Sequence, residues 1–150
     1  ALYLIGDGPL WRSVTAQASR IPGVAVAGPV TDRAIIAARL ASADYFVHGG
    51  AAETFGLVVA EALASGVPIV APDQGGASEI VHPAFGEAYR AGDADALAAA
   101  LARIVSRDRR ELSLAARAGG HRLVAPSEHF ATLFAAYGGL CQSRRDRLAA

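Results

Sequence analysis

The sequence predicts an α/β fold, a Rossmann-like, doubly wound parallel sheet flanked by helices, with further helices at the C-terminal end. Over the first two thirds of the chain, short apolar runs alternate with segments of helical periodicity, and glycine or proline marks the turns between them. The apolar runs are hydrophobic on both faces, which is typical of parallel strands covered by helices on two sides.

Five apolar runs are predicted to be β-strands. Because each leads into a helical segment rather than a hairpin turn, the strands are expected to pair in parallel. All five are expected to be covered on both faces. The predicted strands are residues 2–5, 24–27, 45–47, 68–71 and, more weakly, 87–90.

Helices are predicted between consecutive strands and throughout the last third of the chain. Asp93 follows a glycine and can accept an N–H bond at the start of one helix. The pair Gly119-Gly120 is expected to weaken the next helix and end it, and Pro126 suits the first turn of the last. The predicted helices are residues 10–19, 32–41, 56–65, 77–81, 94–105, 108–121 and a last one from 126 carrying Phe130, Leu133, Phe134 and Tyr137.

The composition fits one well-buried domain spanning residues 1–150. The chain has 150 residues, of which 53% are hydrophobic and 19% charged. Lys+Arg and Asp+Glu are both 14, so no electrostatic platform for nucleic acid is expected. The single cysteine excludes an intramolecular disulfide and fits a reducing, cytoplasmic compartment.

A basic cluster, Arg144-Arg-Asp-Arg147, stands near the C-terminal end of the sequence. One interpretation is a solvated helix end, where cations favour the negative end of the helix dipole. The other is contact with an anionic membrane surface or a second domain. No apolar run approaches the length of about 20 residues that spans a bilayer.

Ligands of open α/β sheets bind beyond the carboxyl ends of the strands, which here gives four loops: residues 6–9, 28–32, 48–56 and 72–78. The first resembles a dinucleotide fingerprint, but Trp11 stands where its last glycine belongs and no acidic residue ends the next strand. A tight turn is therefore predicted there. The segment 75–79 either offers N–H groups to a ligand or is a glycine-rich turn with Ser78 and Glu79 as ordinary first-turn residues.

The third loop is the strongest candidate site. Glu53 is predicted just before a helix and Glu61 in the second turn of that helix. A helix start suits phosphate, whereas ionised carboxylates accept hydrogen bonds from sugar hydroxyls, so the combination predicts a nucleotide-sugar site. The alternative is a first-turn dipole partner and a solvated helix charge. Apolar residues on both sides of Glu61 predict buried surroundings, where an unpaired carboxylate is costly and a ligand is favoured.

His48 ends a predicted strand and is placed to touch a phosphate or a sugar hydroxyl. The other histidines, His82, His121 and His129, show no ligand spacing and are interpreted as structural or surface residues. No Ser-His-Asp order, Cys-His pair or metal-ligand set is evident, so hydrolase and metalloenzyme functions have little support.

The residues from 44 to 70 resemble the signature of GT4-type retaining glycosyltransferases (glycosyl transferases group 1). The motif is Glu53 and Glu61 separated by seven residues, with Phe-Gly-Leu between them, Gly-x-Pro after them, and Gly-Gly-Ala-Ser-Glu-Ile-Val at 75–81. The resemblance extends from residue 2 to about 105. In that family this segment is the C-terminal, donor-binding Rossmann-like domain of a two-domain GT-B enzyme.

The resemblance implies a role for each motif residue. Glu53 would contact hydroxyls of the transferred sugar, and Glu61 would bind the ribose. His48 departs from the Pro-Ser that commonly stands just before the first glutamate in the family. No catalytic nucleophile is assigned, and no metal or other cofactor is implied. The backbone N–H groups that would hold the diphosphate belong to Phe55, Gly56, Leu57 and Val58, and the loop against the base contains Val30 and Thr31.

The resemblance also implies parts that would precede Ala1. These are a first strand with the Arg and Lys that clamp the diphosphate, and an N-terminal acceptor domain, so residues 1–150 alone are expected to be inactive. The donor would be a UDP- or GDP-sugar, and the acceptor would be a lipid or a saccharide. A lipid acceptor is compatible with peripheral association at the inner membrane face. Two alternatives stay open: a non-catalytic nucleotide-sugar-binding module and a sugar-nucleotide epimerase.

Overall fold

The computed structural model describes the backbone of residues 1–121 and 126–149; the side chains of 126, 127, 129, 141 and 143–149, including the Arg144–Arg147 cluster, lie outside the described part. The predicted alternation of strands and helices is confirmed. The elements are β1 Leu2–Leu4, α1 Trp11–Ala18, β2 Val24–Val26, α2 Arg33–Ser42, β3 Phe46–Val47, α3 Leu57–Ala64, β4 Ile69–Pro72, α4 Gly76–Ile80, β5 Gly86–Tyr89, α5 Ala94–Val105, α6 Arg109–Gly120 and α7 Pro126–Ala149.

All strand pairings of the described residues are parallel, as expected for strands joined by helical crossovers. The pairings fall into two groups, β1 with β2 and β3 with β4 with β5. Leu2 stands opposite Val24, Phe46 opposite Ile69, and Ile69 in turn opposite Gly86. No described pairing joins β1 to β3, so each of these two strands has one open edge.

The core lies on both faces of β4, whose four residues are all buried. Ile69 and Ala71 belong to one cluster, which also contains Leu63 of α3. Val70 points to the other face and packs with Ile104 of α5. This is the two-sided burial that the apolar strand sequences predict.

The prediction that every strand is covered on both faces is wrong for β1. Leu2, Tyr3 and the following Ile5 are 46%, 42% and 43% exposed. Among the described elements β1 pairs only with β2, and the guanidinium of Arg39 over the Tyr3 ring, 4.4 Å from its centroid, gives only partial cover.

Helix boundaries follow the capping residues. The carboxylates of Asp32, Asp93 and Asp108 accept N–H bonds in the first turns of α2, α5 and α6. Helix α6 ends at Gly120, as predicted. The glycine pair also has a packing reason, because a Cβ on Gly119 would lie 2.5 Å from the Phe85 ring and one on Gly120 would lie 2.8 Å from the Ala64 nitrogen. In the part of the chain that the structure describes, none of the helices has the length and apolarity that spanning a membrane requires.

Candidate functional site

The site is built where β3 and β4 end and α3 begins. Gly56 is the N-cap of α3 and has a φ of 78°, in the left-handed region that favours glycine. A Cβ on Gly56 would also lie 3.2 Å from both the Ala77 backbone and the Glu53 carboxylate. Glycine is therefore required here by backbone conformation and by close packing together.

The start of α3 presents backbone N–H groups without acceptors. The carbonyl of Gly56 accepts from the N–H groups of Val59 and Ala60, at 2.9 and 3.1 Å, and so begins the helix. Leu57 and Val58 have no intrahelical acceptor, and no other acceptor in the described residues takes their N–H groups. The predicted diphosphate segment from Phe55 to Val58 is thus gathered at a helix start, which favours an anion.

Glu53 lies on the loop directly before this helix. Its carbonyl accepts from the N–H of Gly76, the first residue of α4, at 2.9 Å. A Cβ on Gly75 would overlap the Ala51 carbonyl, and one on Gly76 would lie 2.5 Å from the Phe55 nitrogen. The segment 75–79 therefore supports the Glu53 loop, and the Gly76 N–H is already taken, which favours the turn interpretation of that segment.

His48 is buried directly after β3, with both of its backbone polar groups bonded. Its N–H donates to the Val70 carbonyl at 2.8 Å, and its carbonyl accepts from the Tyr89 hydroxyl at 2.9 Å. Burial raises the pKa of the Tyr89 hydroxyl, which keeps it protonated as a donor. Sequence reasoning missed Tyr89; its one signal is an aromatic residue in the weakest of the predicted strands.

The side chains of His48 and Glu53 meet. His48 Nε2 lies 3.3 Å from Glu53 Oε2, and the two side chains are 11% and 31% exposed. The structure thus brings together the two residues that were expected to contact the donor sugar.

Glu61 does not have the buried surroundings that its apolar neighbours in sequence predict. Its side chain is 47% exposed, because helix periodicity turns Val59, Ala62 and Leu63 inward and Glu61 outward. It borders a groove of about 300 Å³ between α2 and α3. Arg33 lines the same groove and its guanidinium reaches 4.0 Å from the Glu61 carboxylate.

The predicted base loop leads into that groove. Val30 is half-buried and Thr31 is exposed, and both stand just before Asp32 and Arg33 at the start of α2. The described interactions join neither residue to His48 or Glu53. They precede Arg33 in the chain, and the Arg33 guanidinium lies 4.0 Å from the Glu61 carboxylate.

The first loop forms a tight turn, as predicted, in which Asp7 Oδ1 accepts from the Gly8 N–H at 2.7 Å. Beneath it lies a mostly apolar cavity of about 360 Å³ whose lining includes Trp11, Val14 and Val26. Its lining includes none of the residues from His48 to Glu61.

The chain resembles known proteins in sequence. The family model described as "Glycosyl transferases group 1" matches residues 1–107. A GDP-mannose-dependent alpha-mannosyltransferase of Mycolicibacterium smegmatis is 45% identical over 123 residues, which cover 77% of this chain and 30% of that protein. The chain therefore spans about a third of the length of that curated relative.

Two of the solved structures that share the fold illustrate the similarity. Sucrose-phosphate synthase from Thermosynechococcus elongatus has a TM-score of 0.77 and 26% identity, covering 95% of this chain and 39% of that one. The Anabaena protein HepE in complex with UDP-glucose has a TM-score of 0.65 and 27% identity, covering 79% of this chain and 34% of that one. The Rossmann-like α/β fold class predicted from the sequence is confirmed by these similarities.

Proposed function

The chain belongs to the group 1 glycosyl transferases, and from that membership we propose that it is the donor-binding domain of a GT4-type retaining glycosyltransferase. It would bind a nucleotide-diphosphate sugar for transfer to a lipid or saccharide acceptor. The observation that carries the proposal is the start of α3, where the free N–H groups of Leu57 and Val58 lie between the carboxylates of Glu53 and Glu61 in sequence. The N–H groups suit a phosphate, and the carboxylates suit the hydroxyls of a sugar.

The proposed roles divide the donor among the loops. The N–H groups from Phe55 to Val58 hold the diphosphate, Glu53 takes hydroxyls of the sugar, and Glu61 takes the ribose hydroxyls. Val30 and Thr31 lie against the base. The exposure of Glu61 removes the argument from burial, and the ribose role rests on the motif and on the access that the groove between α2 and α3 gives a ligand to its carboxylate.

The mechanism follows from where charge develops. As the sugar–phosphate bond breaks, negative charge grows on the leaving diphosphate, and the dipole and N–H groups of the α3 start stabilise it. Retention requires the acceptor hydroxyl on the same face of the sugar, positioned by the rest of the enzyme. Glu53 and Glu61 act as binding groups in this proposal, so neither is assigned as nucleophile, and no metal ion is assigned.

The donor is tested by calorimetric titration of the complete protein with GDP, UDP, GDP-mannose and UDP-glucose. The M. smegmatis relative is named for GDP-mannose and HepE was solved with UDP-glucose, so both bases are included. We expect one nucleotide diphosphate and its sugar to bind, with and without EDTA. A folded sample that binds none of the four would contradict the proposal.

A second expectation concerns the part of the protein that residues 1–150 represent. Since retaining transfer needs an acceptor held against the donor, the isolated chain is expected to transfer no sugar. The measurement is transfer from radiolabelled GDP-mannose and UDP-glucose to membrane-lipid and oligosaccharide acceptors, with the complete protein as positive control. Turnover by purified 1–150 would show that no further acceptor domain is needed.

A further inference from the structure

His48 and Glu53 each bring one buried polar atom close to the other. His48 Nε2 and Glu53 Oε2 are 3.3 Å apart, and both are shielded from solvent. At this distance the two atoms do not meet the geometry of a hydrogen bond to each other, and neither has another hydrogen-bond partner among the described residues. Buried polar atoms of this kind are costly unless they are paired, so the contact between them needs an account.

The imidazole of His48 is the fixed member of the pair. The His48 backbone N–H donates a hydrogen bond to the Val70 carbonyl, and the His48 carbonyl accepts one from the Tyr89 hydroxyl. The His48 ring lies nearly parallel to that of Phe46, 6.2 Å away at 21°. A Cβ on Gly50 would lie 3.2 Å from Nε2, so the loop closes over the ring.

The carboxylate of Glu53 is the adjustable member. Its backbone is held by the Gly76 N–H, but its side chain extends from a loop and is 31% exposed. On its inner side, a Cβ on Gly56 would lie 3.2 Å from Oε2. The buried oxygen is therefore confined between Gly56 and His48, and Oε1 is left as the oxygen for a ligand.

We propose that His48 is a positioning residue, whose Nε2–H holds Oε2 of Glu53 so that Oε1 faces the hydroxyls of the donor sugar. The inference rests on the proposed function and replaces direct sugar contact by His48 with an indirect role. An imidazole donor to a carboxylate is a charge-assisted bond, strong enough to select one side-chain orientation. Because only the sugar would touch Glu53, the loss of His48 should weaken binding of the sugar part alone.

The test compares His48→Ala and His48→Gln in the complete protein by calorimetry. The probes are GDP with GDP-mannose and UDP with UDP-glucose. Removing a hydrogen bond to a charged group should weaken the nucleotide-sugar by about tenfold or more in His48→Ala and leave the free diphosphate within about twofold. The Gln amide can reach where Nε2 stood and donate to Oε2, so His48→Gln should recover most of the lost affinity.

Three results would overturn the proposal: equal weakening of sugar and diphosphate in His48→Ala, no effect on either, or His48→Gln behaving like His48→Ala. The first indicates a purely structural role and the last two exclude the bond to Glu53. Failure of the proposed function is seen separately, because then the unmodified protein binds none of the four probes, and this inference falls with it.

A spectroscopic measurement keeps the proposal testable if His48→Ala does not fold. In the complete protein with ¹⁵N-labelled histidine, Nε2 of His48 is expected to carry a proton, and its resonance should shift in Glu53→Gln. An Nε2 without a proton, or a resonance unaffected by Glu53→Gln, would overturn the assignment.

Discussion

Glu61 is the residue whose surroundings the sequence misrepresents most. Val58, Val59, Ala60, Ala62 and Leu63 surround it in sequence, but neighbours in sequence point in different directions around a helix. In the structure its carboxylate is exposed in the groove between α2 and α3, with Arg33 at 4.0 Å. A ligand in that groove could contact the Glu61 carboxylate without displacing buried side chains.

For this residue we predict that Glu61→Ala weakens binding of the nucleotide diphosphate by about tenfold or more, because hydrogen bonds to a charged group contribute roughly 1.5–3 kcal/mol. The measurement is calorimetry on the complete protein. Glu111→Ala is the matched control, since Glu111 is also an exposed helical glutamate but lies on α6. Unchanged nucleotide affinity in Glu61→Ala would instead support a module that keeps the fold without this donor site.

The position of a residue relative to a helix could be predicted from the sequence where one local pattern carries the information. Glu53, Gly56 and the N–H groups after Gly56 are fixed by a loop entering a helix, and the structure gathers them as the pattern predicts. Tyr89 could not be found in this way. Its bond to His48 joins residues 41 positions apart, and the sequence around neither residue indicates that they meet.

At the scale of elements, the short helix α4 acts as a platform for the Glu53 loop. Gly76 donates its N–H to the Glu53 carbonyl, and its missing side chain lets the Phe55 backbone approach closely. The glycines of the 75–79 segment were ambiguous in the sequence, because a ligand-binding turn and a packing turn use the same residues. Only the neighbouring loop distinguishes the two.

At this scale we predict that Gly76→Ala destabilises the protein by about 1–3 kcal/mol, because the added methyl group overpacks against the Phe55 backbone. Thermal unfolding of the complete protein should occur several degrees lower, and the affinity for the nucleotide-sugar should fall as the Glu53 loop is displaced.

The matched control is Gly49→Ala in the same site. A Cβ on Gly49 meets nothing within 4 Å, and its backbone is outside the left-handed region. This variant should retain the unfolding temperature. If Gly76→Ala behaved as Gly49→Ala does, the close packing between the two loops would have no energetic importance.

At the scale of the whole molecule, the open edges of β1 and β3 support the proposal that an additional strand belongs between them. Leu2, Leu4 and Gly6 direct backbone bonds towards β2 and its following turn, so Tyr3 and Ile5 face the other edge. Phe46 and His48 bond to the β4 side, so Val47 faces away. In the doubly wound strand order, the first strand of the sheet lies between the second and the fourth strands. A strand preceding β1 would take that first place, with β1 as the second strand and β3 as the fourth.

For the sheet as a whole we predict that amides on these edges are protected in the complete protein. Hydrogen exchange should be slow at Tyr3, Ile5 and Val47 there and fast in residues 1–150 alone, because a paired edge loses its contact with water. Phe46 and His48, which are already bonded to β4, serve as internal controls and should be protected in both. Equal exchange of the edge amides in both forms would exclude an inserted strand.

The division of the sheet could not be predicted from the runs of apolar residues. Each run indicates a strand and its approximate limits, and all five were found. Which strands become neighbours depends on contacts between distant segments, and the exposure of β1 depends on what covers it. The sequence pattern carries neither kind of information.

The dependence of the site on Gly76 and Tyr89 limits how it could be transplanted. The peptide from His48 to Glu61 contains every side chain assigned to the sugar and the ribose, but it does not contain the groups that hold its shape. Grafted alone into another protein, it would lose the Gly76 bond and the Tyr89 bond. The smallest unit that keeps the shape of this candidate site therefore runs through the end of β5, and a graft should include that whole segment.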